Sequence, residues 1–147
     1  MSHQHILVPV DGSSISFSAV RKAAELAKAF NSQLIIISLI AENPFDDADF
    51  YYTSAIMKEY FVQAHANAET ALTEAKTIAE SLGVNAETRI VTGLVNAETI
   101  AAAAEENKTD LIVIGSHGRK GFQKMILGSF AHDVLAQTEI PVLVIKK

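Results

Sequence analysis

Asp110-Leu-Ile-Val-Ile-Gly-Ser-His-Gly-Arg-Lys-Gly-Phe-Gln-Lys-Met-Ile-Leu-Gly-Ser129 is the stretch whose reading decides the fold. Leu111 to Ile114 is a continuous apolar run, the mark of a strand buried on both faces, and it breaks at Gly115. A loop with glycines at 115, 118 and 121 follows, and Gly128-Ser129 opens a helical pattern carried by Ala131, Val134 and Leu135. Glycines let backbone approach a ligand closely, and free N–H groups at a helix start attract anions. Strand, glycine loop and helix start in that order are what a phosphate-binding loop needs, and they predict a nucleotide binder.

The segments on either side repeat one theme. His5 to Val10 is a short apolar run, with Pro9 marking its end. Asp11-Gly-Ser-Ser14 is a turn in which Ser13 or Ser14 caps a helix whose stripe is Phe17, Val20, Ala23, Ala24, Ala27 and Phe30. Leu34 to Ile40 is a second strand, followed by a polar, acidic surface loop from Ala41 to Asp49. Met57, Phe61, Ala64, Ala68, Ala71, Ala75, Ile78 and Leu82 trace a long helix that Gly83 stops; its first members read as core or dimer surface. Val84 to Val91 alternates apolar and polar residues, like a strand near a sheet edge. Ala97, Ile100, Ala101 and Ala104 mark a third helix, and Ile140 to Ile145 a last strand. Strict alternation of strand and helix predicts an α/β fold with an open parallel sheet covered by helices on both faces. Ligands bind such sheets beyond the strands' carboxyl ends, where strand order reverses. With strands one and four as central neighbours, Asp11 and Gly115 would face each other across that crevice.

Composition narrows the function. The chain has 147 residues, one domain's worth, and its formal charge of -5 gives no basic footprint for nucleic acid. It contains no cysteine, which excludes disulfides and thiolate metal sites. No apolar run approaches the roughly 18 residues that span a membrane, and no signal peptide is visible, so a cytoplasmic location and no membrane partner are expected. The Walker pattern is absent, since Lys120 precedes Gly121 and not a hydroxyl residue. The dinucleotide pattern Gly-x-Gly-x-x-Gly is absent too, and Asp11 lacks the neighbouring acids of a phospho-acceptor domain.

What is present is Gly115-x-x-Gly118, nine residues, then Gly128-Ser129. Together with Val8-Pro-Val-Asp-Gly-Ser13 and Pro141-Val-Leu-Val-Ile145, this resembles the universal stress protein family over essentially the whole chain. The resemblance implies one domain spanning residues 1–147, with a Rossmann-like fold of the adenine nucleotide alpha hydrolase type and sheet order 3-2-1-4-5. It implies an ATP site, with AMP or ADP as alternatives and Mg held through the phosphates, and a homodimer paired through the last strand. Carried over by position, Pro9, Val10 and the backbone around Leu39 would line an adenine pocket. Asp11 would contact ribose or a phosphate-bound metal. Gly115 and Gly118 would pass beneath ribose and phosphates, with His117 between them in the same loop. Gly128, Ser129 and the Phe130 N–H would hold phosphate at the start of helix four. Phe130 departs from the smaller aliphatic residue usual there, and Val95 from a proline often found after strand three.

Each of these residues has a plainer role. Asp11-Gly12-Ser13 by itself is a turn and cap, and Ser129 a simple N-cap. Arg119, Lys120 and Lys124 are a local basic cluster that either attracts phosphate or is a solvated loop face. His117 has no second ligand or orienting acid in sequence, so neither a catalytic nor a metal role is assigned to it. His3 and His5, at the terminus, are not read as a metal site. The leading expectation is a dimeric ATP-binding regulatory protein of the stress-response type, with unnamed protein partners. No second acid beside Asp11 and no base to position water argue against an efficient hydrolase. The alternatives are an ATP-using enzyme with slow hydrolysis or autophosphorylation, and an interaction module without nucleotide.

Overall fold

Unbroken runs such as Ile6-Leu-Val8 and Leu34-Ile-Ile-Ile37 have apolar side chains pointing both ways, so a strand made of them needs cover on both faces. The computed structural model, which describes residues 4–41, 55–117 and 128–147, gives them that cover. Its elements in chain order are β1 (His5–Pro9), α1 (Ser14–Phe30), β2 (Gln33–Ala41), α2 (Ala55–Ser81), β3 (Ala86–Gly93), α3 (Ala97–Glu106), β4 (Leu111–Gly115), α4 (Ser129–Gln137) and β5 (Val142–Ile145). The strands form one parallel sheet in the order β3-β2-β1-β4-β5, as expected. On one face Ile6, Val8, Leu34, Ile36 and Val113 pack with the α1 and α2 residues Val20, Ala24, Leu72 and Ala75. On the other, Leu7, Ile35, Ile37, Ile112 and Ile114 pack with Ile100 and Ala104 of α3 and Val134 of α4.

Local chemistry fixes the ends of the helices. Ser13 caps α1 through its side chain, which accepts from the Ser16 N–H at 3.3 Å, and Asn31 ends it in the left-handed conformation. Asn96 caps α3 by accepting from the Thr99 N–H at 3.0 Å. After Gly83, the Val84 N–H returns to the Ala79 carbonyl at 3.0 Å and turns the chain toward β3.

Several sequence expectations shift. Phe30, counted in the buried stripe of α1, is 43% exposed. It is the last residue of the helix, one turn beyond Ala27, the last that the sheet covers. In α3 the buried face holds Ala103 and not Ala101, because a run of identical methyl side chains carries no phase information. β3 begins at Ala86, two residues later than the alternation suggested, and lies at the sheet edge as expected. The apolar period of α2 runs past what the sheet covers. Its buried residues are Ala68, Ala71, Leu72, Ala75 and Ala79, while Met57, Ile56, Tyr60 and Val62 are exposed.

The contrast between the two kinds of isoleucine is measurable. Ile36→Ala, at a fully buried position, is expected to lower the unfolding free energy by about 2–5 kcal/mol in urea titrations. Ile56→Ala, at a position 79% exposed, should change it by less than about 0.5 kcal/mol.

Candidate functional site

The sheet places a crevice where its strand order turns. From β1 the chain crosses by α1 to β2 on one side, and from β4 it crosses by α4 to β5 on the other. The helices cover opposite faces, so the carboxyl ends of β1 and β4 open into a gap between their departures.

The β1 side of the gap is a tightly bonded turn. Gly12 has φ of +83°, a conformation that a side-chain-bearing residue rarely adopts. That lets the Asp11 carboxylate fold over the turn and accept from the Ser13 N–H at 2.9 Å and from the Ser13 hydroxyl. The Ser16 hydroxyl donates to the Ser13 carbonyl at 2.8 Å, and the Phe17 N–H also donates to that carbonyl at 3.2 Å. The turn-and-cap role of Asp11-Gly12-Ser13 is therefore realised, with the exposed carboxylate at the rim of the gap.

The β4 side is shaped by contact distances. A Cβ on Gly115 would stand 3.0 Å from Ile15 Cγ1 and 3.1 Å from its Cγ2, so the missing side chain lets β4 lie against the start of α1. A Cβ on Gly128 would stand 2.9 Å from the Ser116 carbonyl oxygen. That closeness accompanies a hydrogen bond from the Gly128 N–H to the same oxygen, at 2.7 Å. The Gly128 N–H is thus engaged within the chain. Ser129 is not the cap. Gly128 occupies that position, no side chain caps the helix, and Ser129 is its first residue. The helical ladder begins with the His132 N–H donating to Gly128, so the N–H groups of Ser129, Phe130 and Ala131 precede it. They form the positive end of α4.

These walls enclose a cleft of about 650 Å³. Pro9, Val10, Asp11, Leu39, Gly115, His117, Gly128, Ser129 and Phe130 all line it. Gly118, with Gly121 and the cluster Arg119, Lys120 and Lys124, lies outside the described residues, as does His3. His117 Nδ1 lies 3.1 Å from the Ser116 hydroxyl. Among the described residues no group of three His, Cys, Asp or Glu side chains could hold a metal ion, and no helix is long and apolar enough to cross a membrane. The sequence reading missed Ser16, Ser38, Tyr60 and Asn67, which also line the cleft. Ser38 did carry a signal: it is the one polar residue in the apolar run from Leu34 to Ile40.

The model of the universal stress protein family matches residues 2–146. The chain belongs to the universal stress protein family. A universal stress protein of Methanocaldococcus jannaschii is 34% identical over 149 residues, covering 99% of this chain and 83% of that one. The structure of UspA from Lactobacillus plantarum superposes with a TM-score of 0.83 at 23% identity, covering 99% of each chain. A universal stress protein solved in complex with cAMP superposes with a TM-score of 0.76 at 29% identity, again over 99% of each chain. The Rossmann-like sheet expected from the sequence is the architecture of this family.

Gly128→Ala separates the structural role of this glycine from any ligand contact. Its new methyl group meets backbone, which cannot swing aside. The ligand-free variant should lose about 1–3 kcal/mol of stability in chemical denaturation. Unchanged stability would mean that the close approach to Ser116 is not required.

Proposed function

We propose that this universal stress protein binds an adenine nucleotide in the cleft at the ends of β1 and β4. One observation carries the reading: the uncapped start of α4 and the Asp11 turn, far apart in sequence, open into the same cleft at the point where strand order reverses. The donors left over at a helix start suit a phosphate group, and the cleft volume of about 650 Å³ suits a nucleotide. The relative in complex with cAMP adds support for the ligand class.

In this reading Pro9, Val10 and the β2 backbone at Leu39 flank the base, and Asp11 reaches the ribose or a phosphate-bound magnesium ion. Gly115 and Gly118 run beneath the sugar and phosphates, with His117 beside them. The Ser129 and Phe130 N–H groups hold phosphate, while Gly128 contributes by lacking a side chain. Magnesium bound to the phosphates would screen their charge, which fits a site whose only acid among its described lining residues is Asp11. We assign residues 1–147 to one domain, working in the cytoplasm as an ATP-responsive regulator of a stress response. Binding would change a partner surface, and turnover would stay below the usual enzyme range of about 1–1000 per second.

The dimer belongs to the same proposal. β5 is an edge strand of half-buried apolar residues, Val142 to Ile145, whose outer backbone groups suit pairing with a second copy.

Calorimetric titration with AMP, ADP and Mg-ATP tests the binding. At least one should bind, and Asp11→Ala should weaken it about tenfold, the loss of one hydrogen bond to a charged group. Flat titrations with all three overturn the reading. Val144→Lys, with an unchanged circular dichroism spectrum, should sediment as a monomer. A persistent dimer would move the interface elsewhere.

A further inference from the structure

The sheet has two edges, and the proposed dimer occupies one of them through β5. The other is β3, eight residues long against four in β5, with all eight in parallel register with β2 on its inner side. Among the described residues no strand pairs with its outer side. An edge of that length presents a row of backbone donors and acceptors to an extended chain.

A groove of about 460 Å³ runs beside this edge, between α2 and β3. Leu72, Lys76 and Glu80 line it from α2, and Thr88 and Ile90 from β3. Its chemistry is graded along the helix. Leu72 is buried and Ile90 half-buried, Lys76 is half-buried, and Glu80 is exposed. Among the described residues neither Lys76 nor Glu80 forms an ion pair. Most of the other polar groups are engaged. The Thr73 and Thr77 hydroxyls donate to helix carbonyls at 2.8 and 2.9 Å, and Glu69 lies 3.5 Å from His65. The Arg89 guanidinium is bound to Glu87 at 2.9 Å and to Asn107.

Residues 72, 76 and 80 follow one another at about 6 Å along the helix axis. Alternate side chains of an extended strand recur at about 6.6 Å, so the two spacings match. As the crossover between the parallel strands β2 and β3, α2 runs opposite to β3, and Glu80 lies toward the start of β3. A strand laid antiparallel on β3, the more stable pairing, therefore meets Leu72, Lys76 and Glu80 in that order.

We propose that the β3 edge accepts an extended segment of a partner protein with the pattern apolar-x-acidic-x-basic. Its backbone pairs with the open edge, its apolar side chain covers Leu72 and Ile90, its carboxylate reaches Lys76 and its cation reaches Glu80. Charges along an edge deter indiscriminate pairing, and complementary charges select one partner over others. The groove shares no lining residue with the nucleotide cleft and does not depend on it.

The capped peptide Thr-Leu-Thr-Glu-Thr-Lys-Thr is the probe, titrated into the full chain and followed by the amide resonances of residues 86–93. Saturable shifts are expected there. A peptide with lysine in place of the central glutamate should bind about fivefold more weakly, and Lys76→Glu should reverse that preference. A form of the first peptide methylated on every amide nitrogen should not bind, because it has lost its backbone donors. Absence of saturable shifts overturns the proposal, as does equal affinity for the two peptides or an unchanged preference in the folded variant. Undiminished binding of the methylated form overturns it too. Shifts at residues 86–93 that grow with protein concentration and ignore the peptide would give the edge to a second copy of this chain, and would equally overturn it.

Discussion

The pairing of β1 with β4 is the contact on which the rest depends. It is short: the parallel register holds Ile6 opposite Leu111 and Leu7 opposite Ile112. Its amino-terminal end is fastened by the Asp110 carboxylate, which accepts from the Gln4 N–H at 2.8 Å and the His5 N–H at 3.2 Å. The Asp110 N–H donates in turn to the His5 carbonyl at 2.9 Å. Strands 105 residues apart are thereby locked side by side, at an entropic cost that closes most of the chain into a loop. Fully buried Ile6, Leu7 and Ile112 offset that cost by leaving water together. Because pairing is tight at the amino ends, the carboxyl ends are free to diverge, β1 into the Asp11 turn and β4 into the glycine loop.

Glycine in that loop answers to packing before it answers to any ligand. Gly115 lets β4 approach Ile15 at the start of α1, and Gly128 lets the start of α4 touch the backbone at Ser116. Both contacts draw the two helix starts toward the crevice. A spacing that reads as a ligand signature in sequence is thus also a folding requirement of the crevice itself. The two roles are compatible, since a backbone drawn in this closely is also one that a bound molecule can approach.

The strands were legible because they rest on long apolar runs, whereas the sheet order came with the family resemblance, and the Asp11–Gly115 encounter followed once strands one and four were taken as neighbours. What stayed hidden has physical causes. The phase of α3 was lost in a run of alanines, where Ala101 and Ala103 offer the same methyl group to either face. Phe30 and Met57 continue helical stripes that are correct in period, but the sheet ends before they do, and periodicity says nothing about the length of the partner surface. The cleft wall from α2, with Tyr60 and Asn67, was invisible because it depends on how the helix crosses the sheet and not on any local pattern. Ser38 was visible as an anomaly, a hydroxyl in an otherwise apolar strand, and only the fold shows that the anomaly faces the cleft.

The capping chemistry separates α4 from the other helices whose starts are described. α1 and α3 satisfy their own first turns with the side chains of Ser13 and Asn96. α4, the one that begins at the cleft, has Gly128 in the same position and no side chain over its first N–H groups. Serine or asparagine there would make the isolated helix slightly more stable. It would also place a Cβ against the Ser116 carbonyl and its own oxygen over the donors. The small loss in helix stability keeps those donors, and the positive end of the helix dipole, open to the cleft. The crevice geometry and the electrostatics of its wall thus follow from the same missing side chain.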